Sequence, residues 1–243
     1  MTEWRVRLRG HEFDLAELSQ RLRSPDLDVI EEDDSYYLTS QCFDSMTDSG
    51  GVLQRARELL GRANGAMRIE YSGYEPVEAE GLVQRIRRDK KWDQSIHVSG
   101  PIKMRGRSRL RATASVVKPD GSTETSADPV GSVQSWLGIA GSDVKVDRAL
   151  RVLGSRKLTM AELYKALEIV EEDVGGERKL KAIGWAPRAE IERFKQTVNS
   201  IQALGYDARH GREFQAPKNP MTLREGHSLI AGILKRWRQT KPG

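Results

Sequence analysis

Trp4-Arg5-Val6-Arg7-Leu8-Arg9 alternates apolar and basic residues without a break. Successive side chains of an extended strand point to opposite faces. The stretch therefore reads as a β-strand with Trp4, Val6 and Leu8 inward and Arg5, Arg7 and Arg9 outward. The next hundred residues decide the fold. Asp14 and Glu17 fit a helix start, Leu15, Leu18 and Leu22 give one apolar face, and Pro25 comes after the end. Residues 27–30 and 36–39 read as strands joined by the acidic turn 31–35. A second helix is expected over 51–63, apolar at Val52, Leu53, Ala56, Leu59 and Leu60, with Asn64-Gly65 as its stop. Further strands are expected over 67–71, 77–88, 97–104 and 105–117. The order strand–helix–strand–strand–helix–strand predicts an α+β, ferredoxin-like (split βαβ) sheet with extra strands appended. In such a sheet both helices cover one face and the other lies open.

A second alternation is more extreme. Lys103, Arg105, Arg107, Arg109 and Arg111 are every second residue of one run, with Met104, Gly106, Ser108 and Leu110 between them. In a strand these five cations share one face at about 6.6 Å spacing and repel one another unless anions lie nearby. Either neighbouring strands supply the anions, with Glu75, Glu78 and Glu80 the nearest in sequence, or a ligand does. Lys and Arg contacts to phosphates give sequence-independent affinity that salt weakens. The aromatic platforms of single-strand binders are sparse here, with Trp92 the nearest and Trp4 turned inward. Docking onto an acidic protein surface is a third outlet for the same charges.

Charge is polarised along the chain. Residues 81–118 carry eleven Lys/Arg against Asp89 and Asp93, a local charge of +9. Residues 1–80 sum to −8 and residues 130–243 to +7, so the net +5 alone does not identify a nucleic-acid binder. The turn-rich stretch 121–132 is the expected linker between a sheet domain over 1–120 and a small helical domain over 133–243. In that second domain 143–153 reads as a helix. Thr159 with Glu162 and Thr222 with Glu225 read as capping boxes, and Pro187 leads into the stripe Ile191, Phe194, Val198 and Ile201.

The second half also carries an ordered set of short motifs. They are Leu163-Tyr164-Lys165 with Glu168, Gly184-Trp185, Arg193-Phe194-Lys195-Gln196-Thr197-Val198-Asn199, Asp207-Ala208-Arg209-His210-Gly211 and Pro217 with Pro220-Met221-Thr222-Leu223. The set resembles a group of uncharacterised bacterial proteins that carry similar motifs ahead of a terminal amphipathic helix. The likeness covers about residues 150–240; it implies bacterial origin and a shared fold, and it conveys no activity.

Several classes are without sequence support. The single cysteine, Cys42, gives no disulfide framework, and together with His11, His97, His210 and His227 it shows no zinc spacing. There is no phosphate-binding Gly-rich loop, no dinucleotide fingerprint and no nucleophile elbow. The run Glu31-Glu32-Asp33-Asp34 lacks the glycine and spacing of a calcium loop. No cofactor or metal is expected. No apolar run is long enough for a signal peptide or a membrane span, so a cytoplasmic location is expected.

One constellation invites an enzymatic reading. Arg209 and His210, with Tyr164, Lys165, Thr197 and Asn199 as neighbours, resemble the Arg/His pairs of HEPN-type metal-independent ribonucleases. Those pairs lie a few residues apart on one helix, whereas Arg209 and His210 are adjacent and come after Gly205 in a loop. The bland reading is a cluster that fixes this loop. His227 fits a partly buried helix position, and Lys165 fits a helical ion pair with Glu168 or Glu172. The expectation is a non-enzymatic binding or accessory protein that contacts a polyanion through Arg5, Arg7, Arg9 and the Lys103 to Arg111 run. Its partner is a nucleic acid or an acidic protein surface. The ribonuclease and a structural subunit of a larger assembly, such as a homo-oligomer or a phage-defence complex, are the alternatives.

Overall fold

A six-stranded sheet with two helices precedes a long helical tract. The computed structural model describes residues 4–86, 92–97, 116–117, 123–124, 129–209 and 215–242. The chain is α+β: β1 (Trp4–Arg9), α1 (Glu12–Arg21), β2 (Arg23–Ser24), β3 (Leu27–Glu32), β4 (Ser35–Thr39), α2 (Ser49–Glu70), β5 (Glu78–Ile86) and β6 (Trp92–Ile96) come first. These six strands form one antiparallel sheet in the order β2-β3-β4-β1-β5-β6. A short ladder pairs β7 (Val116–Val117) with β8 (Thr123–Glu124). Next come α3 (Pro129–Ser142), α4 (Val144–Leu153), α5 (Met160–Val174), α6 (Glu177–Ile183), α7 (Arg188–Asn199), α8 (Ile201–Leu204) and α9 (Leu223–Arg238).

Register explains why β1 lies inside the sheet. Val6 stands opposite Leu38 of β4 and Val83 of β5, and Leu38 stands opposite Val29 of β3. All four are buried and share one face, each contributing about 1.5–3 kcal/mol by leaving water. A one-residue slip would turn all four to the other face. The β1–β5 register shifts between Val6 and Leu8, and Gly81 sits at that irregularity with φ +94°. A Cβ on Gly81 would run into the His97 carbonyl. The β3–β4 turn is a two-residue loop, Asp33-Asp34, with both residues left-handed at φ 49° and 55°. Aspartate tolerates that conformation through its short polar side chain.

The chain divides into two compact units. The first comprises Met1–Leu60 and Tyr74–Ser135, and holds the six-stranded sheet, α1 and the first half of α2. The second comprises Gly61–Gly73 and Trp136–Gly243, and its described elements are helical. Its core includes Trp136, Leu150, Leu153, Leu163, Leu167, Phe194 and Trp237, all essentially without solvent exposure.

Helix starts obey the expected chemistry. Asp143 caps α4 by accepting from the Lys145 and Val146 amides. Thr159–Glu162 and Thr222–Glu225 are both reciprocal capping boxes. Other expectations are corrected. The helix expected to stop at Asn64-Gly65 runs on to Glu70, and the strand expected over 67–71 is largely its last turn. Gly65 is a packing residue: a Cβ there would fall on the Leu150 carbonyl of α4, and one on Gly154 would fall on the Gly61 carbonyl. Helix α3 begins at Pro129, inside the stretch expected as linker, and α6 is an additional helix. In place of the strand expected from 97, β6 ends at Ile96, and residues 98–115 lie outside the described ones.

Gly61 and Gly65 lie one turn apart on α2 and separate two effects. A Cβ on Gly61 meets open space, so Gly61→Ala is expected to raise stability by up to about 1 kcal/mol through helix propensity. Gly65→Ala gains the same propensity but is expected to lose about 1–3 kcal/mol net, because two helix backbones must part. Urea unfolding midpoints of the two variants check this; a stabilised Gly65→Ala would remove the close-packing account.

Candidate functional site

The arginines of β1 are met by carboxylates. Arg5 is only 6% exposed, not turned to solvent. Its Nε donates to Gln84 Oε1 at 2.6 Å, its Nη1 pairs with Glu32, and its guanidinium lies 4.0 Å from the Tyr37 ring centroid. Arg7 Nε is 3.2 Å from Glu80, and Arg9 Nη2 donates to Glu78 at 2.7 Å. Arg5 faces Gln84 directly across the β1–β5 ladder, so its burial is a consequence of register. Glu78 and Glu80 are two of the three acids that sequence order offered to the Lys103 to Arg111 run, and β1 engages both. Lys103, Arg105, Arg107, Arg109 and Arg111 themselves lie outside the described residues.

A groove of about 490 Å³ opens where β1 ends, between the start of α1 and the β3–β4 turn. Arg7, Arg9, Glu12, Glu31, Asp34 and Tyr36 are among its walls. Burial pushes the Tyr36 hydroxyl above its ordinary 10.0, helped by a hydrogen bond to Glu31 and by the charges of Glu31 and Glu12.

In the helical unit a second polar cluster forms between α5 and α7. Arg209 Nη2 donates to Glu168 Oε1 at 2.8 Å, and the guanidinium lies 4.2 Å from the Tyr164 ring centroid. The Arg209 amide donates to the Val198 carbonyl at 3.0 Å, tying the loop back to α7. Lys195 Nζ lies 2.7 Å from Glu171 and 2.9 Å from Glu177. Burial works to lower the Lys195 pKa, but hydrogen bonds to the two carboxylates outweigh it and hold the ammonium above 10.5. Burial pushes the Glu171 carboxyl up, against the pull of Lys195. Both residues belong to one coupled pair, and the consistent reading is a charged lysine shared between two carboxylates.

Of the expected neighbours of Arg209, Tyr164 joins it. Thr197 is fully buried: its Oγ1 donates to the Arg193 carbonyl at 2.8 Å and accepts the Met221 amide at 3.0 Å. Lys165 is 3.6 Å from Glu162, not paired with Glu168 or Glu172. Asn199 ends α7 and lines a recess of about 480 Å³ with Lys195, Gln196, Gln215 and Ala216. His210 lies outside the described residues. Lys195 was visible in the sequence within the Arg193 to Asn199 motif, but nothing local marked its carboxylate partners on α5 and α6.

His227 on α9 is half-buried, and its Nε2 is 2.9 Å from the Arg68 carbonyl in the last turn of α2. An Nε2–H donor there satisfies a helix-end carbonyl. Burial holds the His227 pKa below 6.5; the positive charges of Arg68 and Lys235 act in the same direction, and the hydrogen bond opposes them. Arg68 itself donates Nη1 to the Leu153 and Ser155 carbonyls at 2.5 Å each, capping the end of α4.

Among the described residues no group of His, Cys, Asp and Glu is arranged to hold a metal ion, and no helix is long and apolar enough to cross a membrane. The chain gives no significant match to a protein family, a curated protein or a solved structure.

These contacts separate framework cations by their burial. Arg5→Ala strands the buried Gln84 and empties a buried site, and should cost about 2–4 kcal/mol, whereas Arg7→Ala, at a pair open to solvent, should cost under about 1 kcal/mol. Equal unfolding midpoints would contradict the burial of Arg5. For His227 the unfolded chain takes up a proton first as pH falls through 6.5. This group's stabilisation is therefore whole above 6.5 and is lost as pH falls to the lower folded-state value. Unfolding midpoints above and below pH 6.5 should fall in that order, and His227→Gln should reduce the difference.

Proposed function

We propose that this chain is a non-enzymatic binding or accessory protein that grips the backbone of a nucleic acid through Lys103, Arg105, Arg107, Arg109 and Arg111. One observation carries the reading: Arg7 and Arg9 already engage Glu80 and Glu78, two of the carboxylates best placed in sequence to neutralise that run. Residues 81–118 sum to +9, a charge that an outside polyanion would neutralise. Arg5, Arg7 and Arg9 then act as supports of the sheet and not as the contact surface. The scaffold of this reading is a ferredoxin-like split βαβ. The strand order β3-β4-β1-β5, with α1 leading from β1 to the β3–β4 hairpin and α2 from β4 to β5, supports it. The described elements of the second unit support a small helical domain. Arg209, committed to Glu168 and the Tyr164 ring, lends nothing to the ribonuclease alternative.

Fluorescence anisotropy of labelled single-stranded RNA, single-stranded DNA and duplex DNA across a salt series tests the reading. Five phosphate contacts on a single strand predict a log–log salt slope of about −3 to −4. Replacing Arg105, Arg107 and Arg109 by Glu should weaken binding by at least about a hundredfold and leave the melting temperature unchanged. Binding that survives the triple change, or that ignores salt, overturns the proposal. Absence of binding to all three probes overturns it too, and directs the search to an acidic protein partner.

A further inference from the structure

The start of α2 holds a serine and a histidine in hydrogen-bond contact. Ser49 is the first residue of the helix, and its Oγ lies 3.1 Å from His97 Nε2. Both side chains belong to the first unit and are half-buried, and Gly50 beside them is exposed. His97 is held in place through its backbone. Its amide donates to the Gly81 carbonyl at 2.8 Å, and its own carbonyl packs so closely on Gly81 that a Cβ there would clash. The irregularity of β5 at Gly81 is therefore also what places the histidine against α2.

A serine hydroxyl is a weak nucleophile until a base within about 2.6–3.2 Å takes its proton. His97 Nε2 stands at that distance and accepts from Ser49 Oγ in the tautomer protonated on Nδ1. Donors for the reacting carbonyl come from the same turn. The Gly51 amide is taken by Asp48 Oδ1 at 2.7 Å and the Val52 amide by the Asp48 carbonyl at 3.3 Å. The Ser49 and Gly50 amides have no acceptor among the described residues, since the first amides of a helix find none within it. Two N–H groups, from the nucleophile and the residue after it, suit a carbonyl oxygen that becomes an oxyanion. Charge narrows the substrate. A Cβ on Gly50 would lie 3.2 Å from Asp48 Oδ1 and 3.9 Å from His97 Cε1, so a carboxylate and the ring flank the same glycine. That carboxylate disfavours a dianionic phosphoryl group far more than the singly charged oxyanion of acyl transfer.

We propose that Ser49 is an acylation site, at which Oγ attacks the carbonyl carbon of an activated acyl ester or thioester with His97 as the base. The Oγ–C bond forms as Nε2 takes the hydroxyl proton. The bond from the carbonyl carbon to the leaving oxygen or sulfur then breaks, and the imidazolium returns the proton to the departing alkoxide or thiolate. The products are an ester on Ser49 and a free alcohol or thiol. The inference concerns modification of the chain itself and does not depend on the nucleic-acid reading.

The test uses the full chain and two reagents, a fluorophosphonate, from which an activated serine displaces fluoride, and p-nitrophenyl acetate. Peptide mass mapping locates the modified residues. Both reagents should modify Ser49 ahead of every other serine, and unfolding in urea should abolish that preference, because the pair exists only in the fold. His97→Gln keeps a hydrogen-bonding side chain but removes the base, and should slow labelling of Ser49 by at least about a hundredfold. Circular dichroism fixes a temperature at which this variant is folded, and the rates are compared there, so that a loss of stability is not misread as loss of the base. No labelling, labelling confined to other residues, a Ser49 preference that survives urea, or a folded His97→Gln chain that labels as fast as the unaltered one overturns the proposal. The triple Glu variant of Arg105, Arg107 and Arg109 should label normally. A chain that binds strands but is not labelled loses only the acylation site; one that is labelled but binds no strand loses only the backbone reading.

Discussion

Backbone contact between α2 and α4 is the constraint from which the helical unit is built. Gly65 faces the Leu150 carbonyl and Gly154 faces the Gly61 carbonyl, so neither helix can shift along the other without a clash or a void. The polar contacts then fall at fixed distances along the same side of α2. Arg62 pairs with Asp147 near the start of α4, and Arg68 reaches the carbonyls at its end. Two arginines six residues apart thus clamp a ten-residue helix whose middle touches glycine. Helix α9 completes the set, because His227 meets the Arg68 carbonyl while Lys235 pairs with Glu70 at 2.9 Å. Capping does much of the fastening: an arginine and a histidine take up carbonyls that helix ends leave without partners.

The sheet unit solves a different problem, a cation on the inside. Arg5 leaves water, yet its charge meets a carboxylate, an amide oxygen and an aromatic face. A buried guanidinium needs all of these, since Coulomb attraction alone seldom repays its lost hydration. Tyr37 and Gln84 are therefore as much a part of the β1 register as Val6 and Leu38. Arg7 and Arg9 have the same alternation in the sequence but sit in wetter pairs that contribute little each. The period-two pattern determines which face each arginine takes. It holds no information on how much water remains there.

That contrast marks how far the sequence could be read. Elements announced by short-range chemistry were legible: the alternating β1, the capping threonines Thr159 and Thr222, and Asp143 before α4. Where one residue type serves two purposes, reading failed. Asn64-Gly65 has the composition of a helix stop, and only the Leu150 carbonyl, far along the chain, gives the glycine its actual role. Helix α3 was hidden because Gly131, Gly138 and Gly141 weaken its helical signature, while Val133 and Trp136 hold it by burial. The polar cluster was half legible. Arg209 and Tyr164 stand in motifs that point to each other, but Lys195 meets its carboxylates only after α5, α6 and α7 assemble.

Both units handle charge in the same way. In each, arginines and lysines that look free in sequence turn out to be satisfied by carboxylates from another element: Arg7 by Glu80, Arg209 by Glu168, Lys195 by Glu171 and Glu177. A cation so placed is a poor recogniser of anions, because a ligand must first displace a partner whose attraction is already realised. The conspicuous pairs of β1 and α5 are framework.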